Sequence, residues 1–147
     1  VVDTQEKGLL ELWDRVREEV LAHKIEYPEV FDLVVKYNGE EVDRIAETCL
    51  IAKLPNDHGF IIFDTENPLE VEYGETLHEV YMSYLRRLID QQGKHIGYIL
   101  AREGKYSEEW FRDELQELQK KLEELLKLYT LAKENKLQFE LKEVTEE

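Results

Sequence analysis

Apolar positions from Phe111 to Ala132 recur at alternating spacings of four and three: Phe111, Leu115, Leu118, Leu122, Leu125, Tyr129 and Ala132. A helix brings residues at these spacings to one face. The run is therefore one unbroken apolar seam, the pattern of a helix lying lengthwise against another, as in a coiled coil. A second stripe precedes it. Leu77, Val80, Tyr81, Tyr84, Leu85, Leu88 and Ile89 share a helical face that continues through Gln92, Ile96, Ile99 and Leu100. Thr76 with Glu79 is a capping box just ahead of this stripe. Gly93 and Gly97 each cost about 1 kcal/mol against Ala inside a helix, so the segment is one helix to about Arg102 or two pieces broken at Gly93. Ser107 supplies the N-cap of the last helix, with Glu108 and Glu109 in its first turn, where the helix dipole favours negative charge. Only a short loop at Gly104-Lys105-Tyr106 separates the stripes, which predicts an antiparallel helical hairpin.

The chain opens with another amphipathic pattern. Leu9, Leu12, Trp13, Val16 and Val20 form a stripe while Glu11, Arg15, Glu18 and Glu19 face water, so the sequence predicts a helix from about Thr4 to Lys24. Asp3 with Glu6 resembles its capping box. Between the first helix and the hairpin the period changes. Asn38-Gly39, set between Val34-Val35-Lys36-Tyr37 and Glu40-Glu41-Val42, is a two-residue hairpin signal. The stretch Glu29 to Leu54 reads either way: Val42, Ile45, Ala46, Cys49, Leu50 and Lys53 also fall on one helical face, but the enrichment in Ile, Thr and Cys from Ile45 to Ile51 favours strand. Pro55 to Gly59 is turn chemistry. Phe60 to Phe63 reads as a strand buried on both faces. After a turn at Thr65-Glu66-Asn67-Pro68, Leu69, Val71 and Tyr73 alternate with Glu70 and Glu72 as a half-exposed strand. Leu137, Phe139 and Leu141 alternate in the same way and predict a strand that returns to the sheet. These patterns add up to an α+β fold: an N-terminal helix and a long C-terminal helical hairpin packed on a small, mainly antiparallel sheet.

Length and composition bound this picture. A chain of 147 residues is the usual size of a single domain, spanning residues 1–147, and buries roughly 70% of its unfolded surface. At 42% hydrophobic residues it has material for a core, which sets it apart from disordered chains. It begins at Val1 rather than at Met, which fits a fragment or a subunit of a larger assembly. The unusual quantity is charge. The net value is −15, of which −11 falls between Val1 and Tyr73 and −4 between Gly74 and Glu147. That balance repels phosphate backbones and anionic membrane surfaces, so neither nucleic acid nor membrane is an expected partner. A basic protein surface is. Cys49 is the single cysteine, which excludes an internal disulfide and fits a reducing, cytoplasmic setting.

Chemistry-bearing motifs are sparse. Glu75-x-x-His78 has the ligand spacing of carboxylate-bundle metal sites, but those need a second copy, and Glu19 to His23 has the wrong spacing. Asp57, Asp64, Glu70 and Glu72 sit at ends of predicted strands and suggest a metal-dependent hydrolase or nuclease, although the lysine such enzymes place after the second acid is replaced by Gly74. Cys49, His58 and Asp57 together do not make a nucleophile group on this pattern, because Cys49 lies among apolar neighbours. No Gly-rich phosphate loop or nucleophile elbow occurs. No metal or other cofactor is expected.

What remains is surface chemistry, and it points to a non-catalytic, acidic protein–protein interaction module: a regulatory, adaptor or inhibitor-type subunit that binds a basic protein surface. Glu40, Glu41, Asp43, Glu70 and Glu72 are the candidates for long-range attraction. Tyr73, Tyr106 and Trp110 are the candidates for anchors, since Tyr and Trp are large yet amphipathic. A narrower version is a nucleic-acid mimic that inhibits a DNA- or RNA-binding protein; the metal-dependent hydrolase is the enzymatic alternative. The hairpin seam serves a homodimer as readily as a monomer, because its pattern is the same in both.

Overall fold

The computed structural model describes residues 30–54, 57–67 and 70–144. The helix predicted for Thr4 to Lys24 lies outside them. Among the described residues the fold is α+β: a six-stranded antiparallel sheet and two helices. The elements in chain order are β1 (Val30–Tyr37), β2 (Glu40–Arg44), β3 (Cys49–Lys53), β4 (Phe60–Asp64), β5 (Val71–Gly74), α1 (Leu77–Leu100), α2 (Glu108–Lys133) and β6 (Gln138–Glu143). They fall into two compact units. Val1–Ser83 with Leu137–Glu147 contains the sheet and the start of α1, and Tyr84–Lys136 contains the rest of α1 and all of α2.

Within the stretch that reads both as strand and as helix, the described residues form the three strands β1, β2 and β3, with Ile45 to Thr48 as the connection between β2 and β3 and no helix. Tyr37 pairs with Glu40, so only Asn38 and Gly39 form the turn, both at positive φ (51° and 83°). That is the mirror-image turn whose twist suits a hairpin, and Asn-Gly is the pair that adopts it with least strain. β1 then organises the sheet. Val34 pairs with Arg44 of β2 and also with Glu140 of β6, while Phe31 pairs with Ile51 of β3 and with Glu143 of β6. One edge of β1 is therefore covered by β6, and the other by β2 and β3 in succession. β4 and β5 continue the sheet beyond β3.

Neighbouring residues on a strand face opposite sides, so consecutive buried residues mean a strand covered on both faces. Leu33, Val34 and Val35 on β1 and Ile61 and Ile62 on β4 are all within 1% of full burial. The expected two-faced burial of the Phe60–Phe63 segment is thus realised at its centre. On one face Leu54 and Ile61 form a cluster with Phe63, Val71 and Tyr73 against it.

The other face receives the first turns of α1. Val35 stands opposite both Asp43 and Phe139, so these three side chains form a row across the strands β2, β1 and β6. Tyr81 of α1, fully buried, reaches both ends of that row. Its hydroxyl donates to Asp43 Oδ2 at 2.6 Å and its ring meets Phe139 edge-on at 5.4 Å. The helix starts where the capping box predicts: Glu79 N–H donates to Thr76 Oγ1 at 3.1 Å. Glu79 Oε2 in return accepts from Glu75 N–H at 3.0 Å, one residue earlier than the usual partner. Gly74 permits this close entry. A Cβ there would stand 2.2 Å from the Val80 nitrogen.

The second unit is the expected antiparallel hairpin. α1 runs without a break through Gly93 and Gly97 to Leu100. Ser107 caps α2 by accepting from Trp110 N–H at 3.2 Å. Leu118, Leu125 and Ala132 of the seam are buried, and its other members are half-buried. Two contacts fix the antiparallel register. Arg86 Nε donates to the Tyr129 hydroxyl at 3.1 Å, and Gln92 Nε2 donates to the Leu118 carbonyl oxygen at 2.9 Å. Gln92, a polar residue in an apolar stripe, is buried because that carbonyl satisfies it. A polar pin of this kind holds one helix register against its neighbours.

Candidate interaction surfaces

The acidic candidates of the sheet unit do not behave alike. Glu40 and Glu41 are exposed at the β1–β2 turn. Glu41 is bonded to Arg44, which raises the Arg44 pKa and offsets part of the local charge. Glu40 makes no ion pair among the described residues. Asp43 is different: it is half-buried, and burial pushes its carboxyl up from the ordinary value while the Tyr81 hydroxyl works in the opposite direction. It is a structural group of the sheet–helix contact more than a source of field. Glu70 precedes β5 and Glu72 lies within it, opposite Ile62, both half-buried. Tyr73 also belongs to this unit. Its hydroxyl donates to the His58 carbonyl oxygen at 2.7 Å, and burial with nearby Glu75 and Glu79 raises its pKa.

Tyr106 and Trp110 are brought together at the α1–α2 connection, with ring centroids 4.4 Å apart. They remain 44% and 41% exposed. Here the helix start decides the geometry. Ser107 begins α2, so Tyr106 stands just before the cap and Trp110 one turn into the helix, close enough for their rings to meet. The same end of the hairpin holds two groups outside the predicted site. Tyr98 is 51% exposed, and Arg102 lies over its ring, the guanidinium carbon 3.4 Å from the centroid, with Nη1 donating to the Tyr98 carbonyl oxygen at 3.1 Å. The four-residue spacing of Tyr98 and Arg102 was legible, but Arg102 falls past the last helical residue, where that spacing alone does not guarantee a contact.

The arrangement of the other candidates is clear. Asp57 and Asp64 stand at opposite ends of β4, and Asp64 Oδ1 accepts from Glu66 N–H at 2.9 Å as part of a turn. Cys49 is buried and pairs with Asp64, so it lies at the far end of the β3–β4 ladder from His58. Glu75 precedes α1, and His78 meets the Phe139 ring edge-on at 6.2 Å. Among the described residues no three His, Cys, Asp or Glu side chains gather to hold a metal ion. No described helix is long and apolar enough to cross a membrane. No protein family, curated protein or solved structure matches this chain.

Proposed function

We propose that the protein is a non-catalytic interaction module that binds the basic surface of another protein in the cytoplasm, as a regulatory, adaptor or inhibitor-type subunit. One observation carries the reading. The chain is able to bury tyrosines, as Tyr81 and Tyr84 are within 3% of full burial, yet Tyr98, Tyr106 and Trp110 are held in water at one end of the hairpin. Exposed Trp and Tyr with a stacked Arg are the residue types that anchor protein interfaces. The net charge of −15 supplies the long-range term, which speeds encounter with a basic partner and weakens as salt rises. Glu40 is the acid best placed to contribute, since Glu41 is partly offset and Asp43 is engaged.

Affinity capture on the immobilised full chain tests this. A defined protein should be retained by the wild-type chain and lost with Trp110→Ala, and association should slow with Glu40→Lys or added salt. A bound protein indifferent to both substitutions and to salt would end the reading.

A further inference from the structure

The end of the hairpin is chemically unlike the rest of an acidic molecule. Arg102 and Lys105 lie in its connecting loop, and neither makes an ion pair among the described residues, although acids outnumber bases 34 to 19 in the chain. Lys94, nearby on α1, is bridged to Asp90 at 3.0 Å. Arg102 is held flat on the Tyr98 ring, with Nη1 on a backbone carbonyl. Its Nε and Nη2 N–H groups make no hydrogen bond among the described residues. The same end of the hairpin carries exposed aromatic and apolar side chains: the Tyr106–Trp110 pair, Tyr98 beneath Arg102, and Leu100 at 48% exposure. Stacking fixes the guanidinium before any partner arrives, so less rotamer entropy is lost when its fork is occupied.

We propose that this end of the hairpin docks on a protein surface that presents a carboxylate beside an apolar pocket. The carboxylate would take the Arg102 fork, and the pocket would receive Trp110 and Tyr106. This deepens the proposed function and rests on it: the partner is basic overall, and acidic where it meets the hairpin end. Charge selects the occupant. A guanidinium fork also fits phosphate, but nucleic acid and anionic membranes are extended polyanions that the net −15 of this chain repels, whereas a single protein carboxylate is not. Arg–carboxylate contact next to buried aromatics is a common form of interface hot spot.

The test is an amide and side-chain NMR titration of the full chain with short synthetic peptides of equal length and equal apolar content, one glutamate-bearing and one lysine-bearing. An oligothymidylate and phosphatidylserine-containing vesicles serve as phosphate probes. The glutamate peptide should move the Trp110 indole N–H and the Arg102 Nε–H signals, and Arg102→Ala should weaken it about tenfold without disturbing the rest of the spectrum. Arg102→Lys should weaken it nearly as much, because it keeps the charge and loses the planar fork. Three results would overturn the proposal: equal response to both peptides at these signals, no response to glutamate, or a stronger response to either phosphate probe. The lysine peptide reports separately on the underlying reading, since it should move signals around Glu40 and Glu41. Silence there with a glutamate response at Arg102 would sink the basic-partner reading alone.

Discussion

The two units of this molecule hold their side chains by different means. In the sheet unit, β1 and β4 are buried on both faces at their centres and backbone meets backbone: the start of α1 comes so near β5 that position 74 has no room for a Cβ. Aromatic hydroxyls there are engaged, Tyr81 with Asp43 and Tyr73 with the His58 carbonyl. The hairpin unit relies on one seam and one buried amide, Gln92. Its helical glycines, Gly93 and Gly97, have no atom beyond their own helix backbone within 4 Å of a would-be Cβ. Its end leaves three aromatics in water. The contrast separates residues that specify the fold from residues that are free to bind. Polar and aromatic groups in the sheet unit are mostly tied to structural partners, whereas those at the hairpin end contact chiefly one another.

Gly74 offers the sharpest way to break this comparison. Gly74→Ala places a methyl 2.2 Å from the Val80 nitrogen and 2.7 Å from its Cα, both backbone atoms that no side-chain rotation relieves. The loss of stability should be about 3 kcal/mol or more, at the upper end for overpacking. Urea unfolding followed through hydrogen exchange of the β4 and β5 amides measures it. A loss below about 1 kcal/mol would mean that α1 enters loosely, and the two units would then not differ in kind.

A smaller effect, with a pH signature, comes from Asp43. Burial raises its pKa in the folded chain, so folding favours the protonated form. The site's contribution to stability is therefore fully present below the ordinary carboxyl pKa and is lost as pH rises through the raised folded value. The Tyr81 hydroxyl limits that loss by donating to the carboxylate. Tyr81→Phe should cost about 1 to 3 kcal/mol at neutral pH, because it leaves a half-buried carboxylate without its side-chain donor. The cost should shrink in acid, where Asp43 holds its proton. No cost at any pH would show that Tyr81 acts through the packing of its ring on Phe139 alone, which phenylalanine keeps.

How far each region was legible follows from the same contrast. The hairpin could be read almost residue by residue, because a seam, a capping box and an N-cap are local patterns, and Thr76, Ser107 and the stripe from Phe111 to Ala132 stand as expected. The Asn38-Gly39 turn was legible for the same reason, and it settles the ambiguous stretch as strand. The role of Asp43 was not. It looked like one more surface acid of β2, and only the register that aligns it with Val35 and Phe139 brings it under Tyr81, 38 residues away. Of the interaction candidates, Tyr106 and Trp110 were named as separate anchors, and only the structure brings their rings together. Tyr73 was an anchor candidate as a large, amphipathic side chain, and its hydroxyl is engaged within the sheet unit. The stacking of Arg102 on Tyr98 was not legible, because it depends on how α1 ends, which composition does not report.

The smallest expected effect has the opposite sign to the first. Gly93→Ala and Gly97→Ala add a methyl where nothing beyond the helix's own backbone lies within 4 Å, in a helix whose backbone is already regular at both positions. Each substitution reduces the freedom of the unfolded chain and should stabilise the hairpin by about 0.5 to 1 kcal/mol. Hydrogen exchange of the α1 and α2 amides is the direct readout, and the gain should be confined to the unit Tyr84–Lys136. The same change at position 74 is costly because backbone atoms occupy the space, so one chemical substitution tests both halves of the comparison. If alanine at 93 or 97 instead destabilises the isolated chain, the hairpin contains a constraint that its seam does not reveal. If the chain gains stability but loses its capture of a partner, the open face beside these glycines lies inside the interface, and the binding surface extends beyond Tyr98, Arg102, Tyr106 and Trp110.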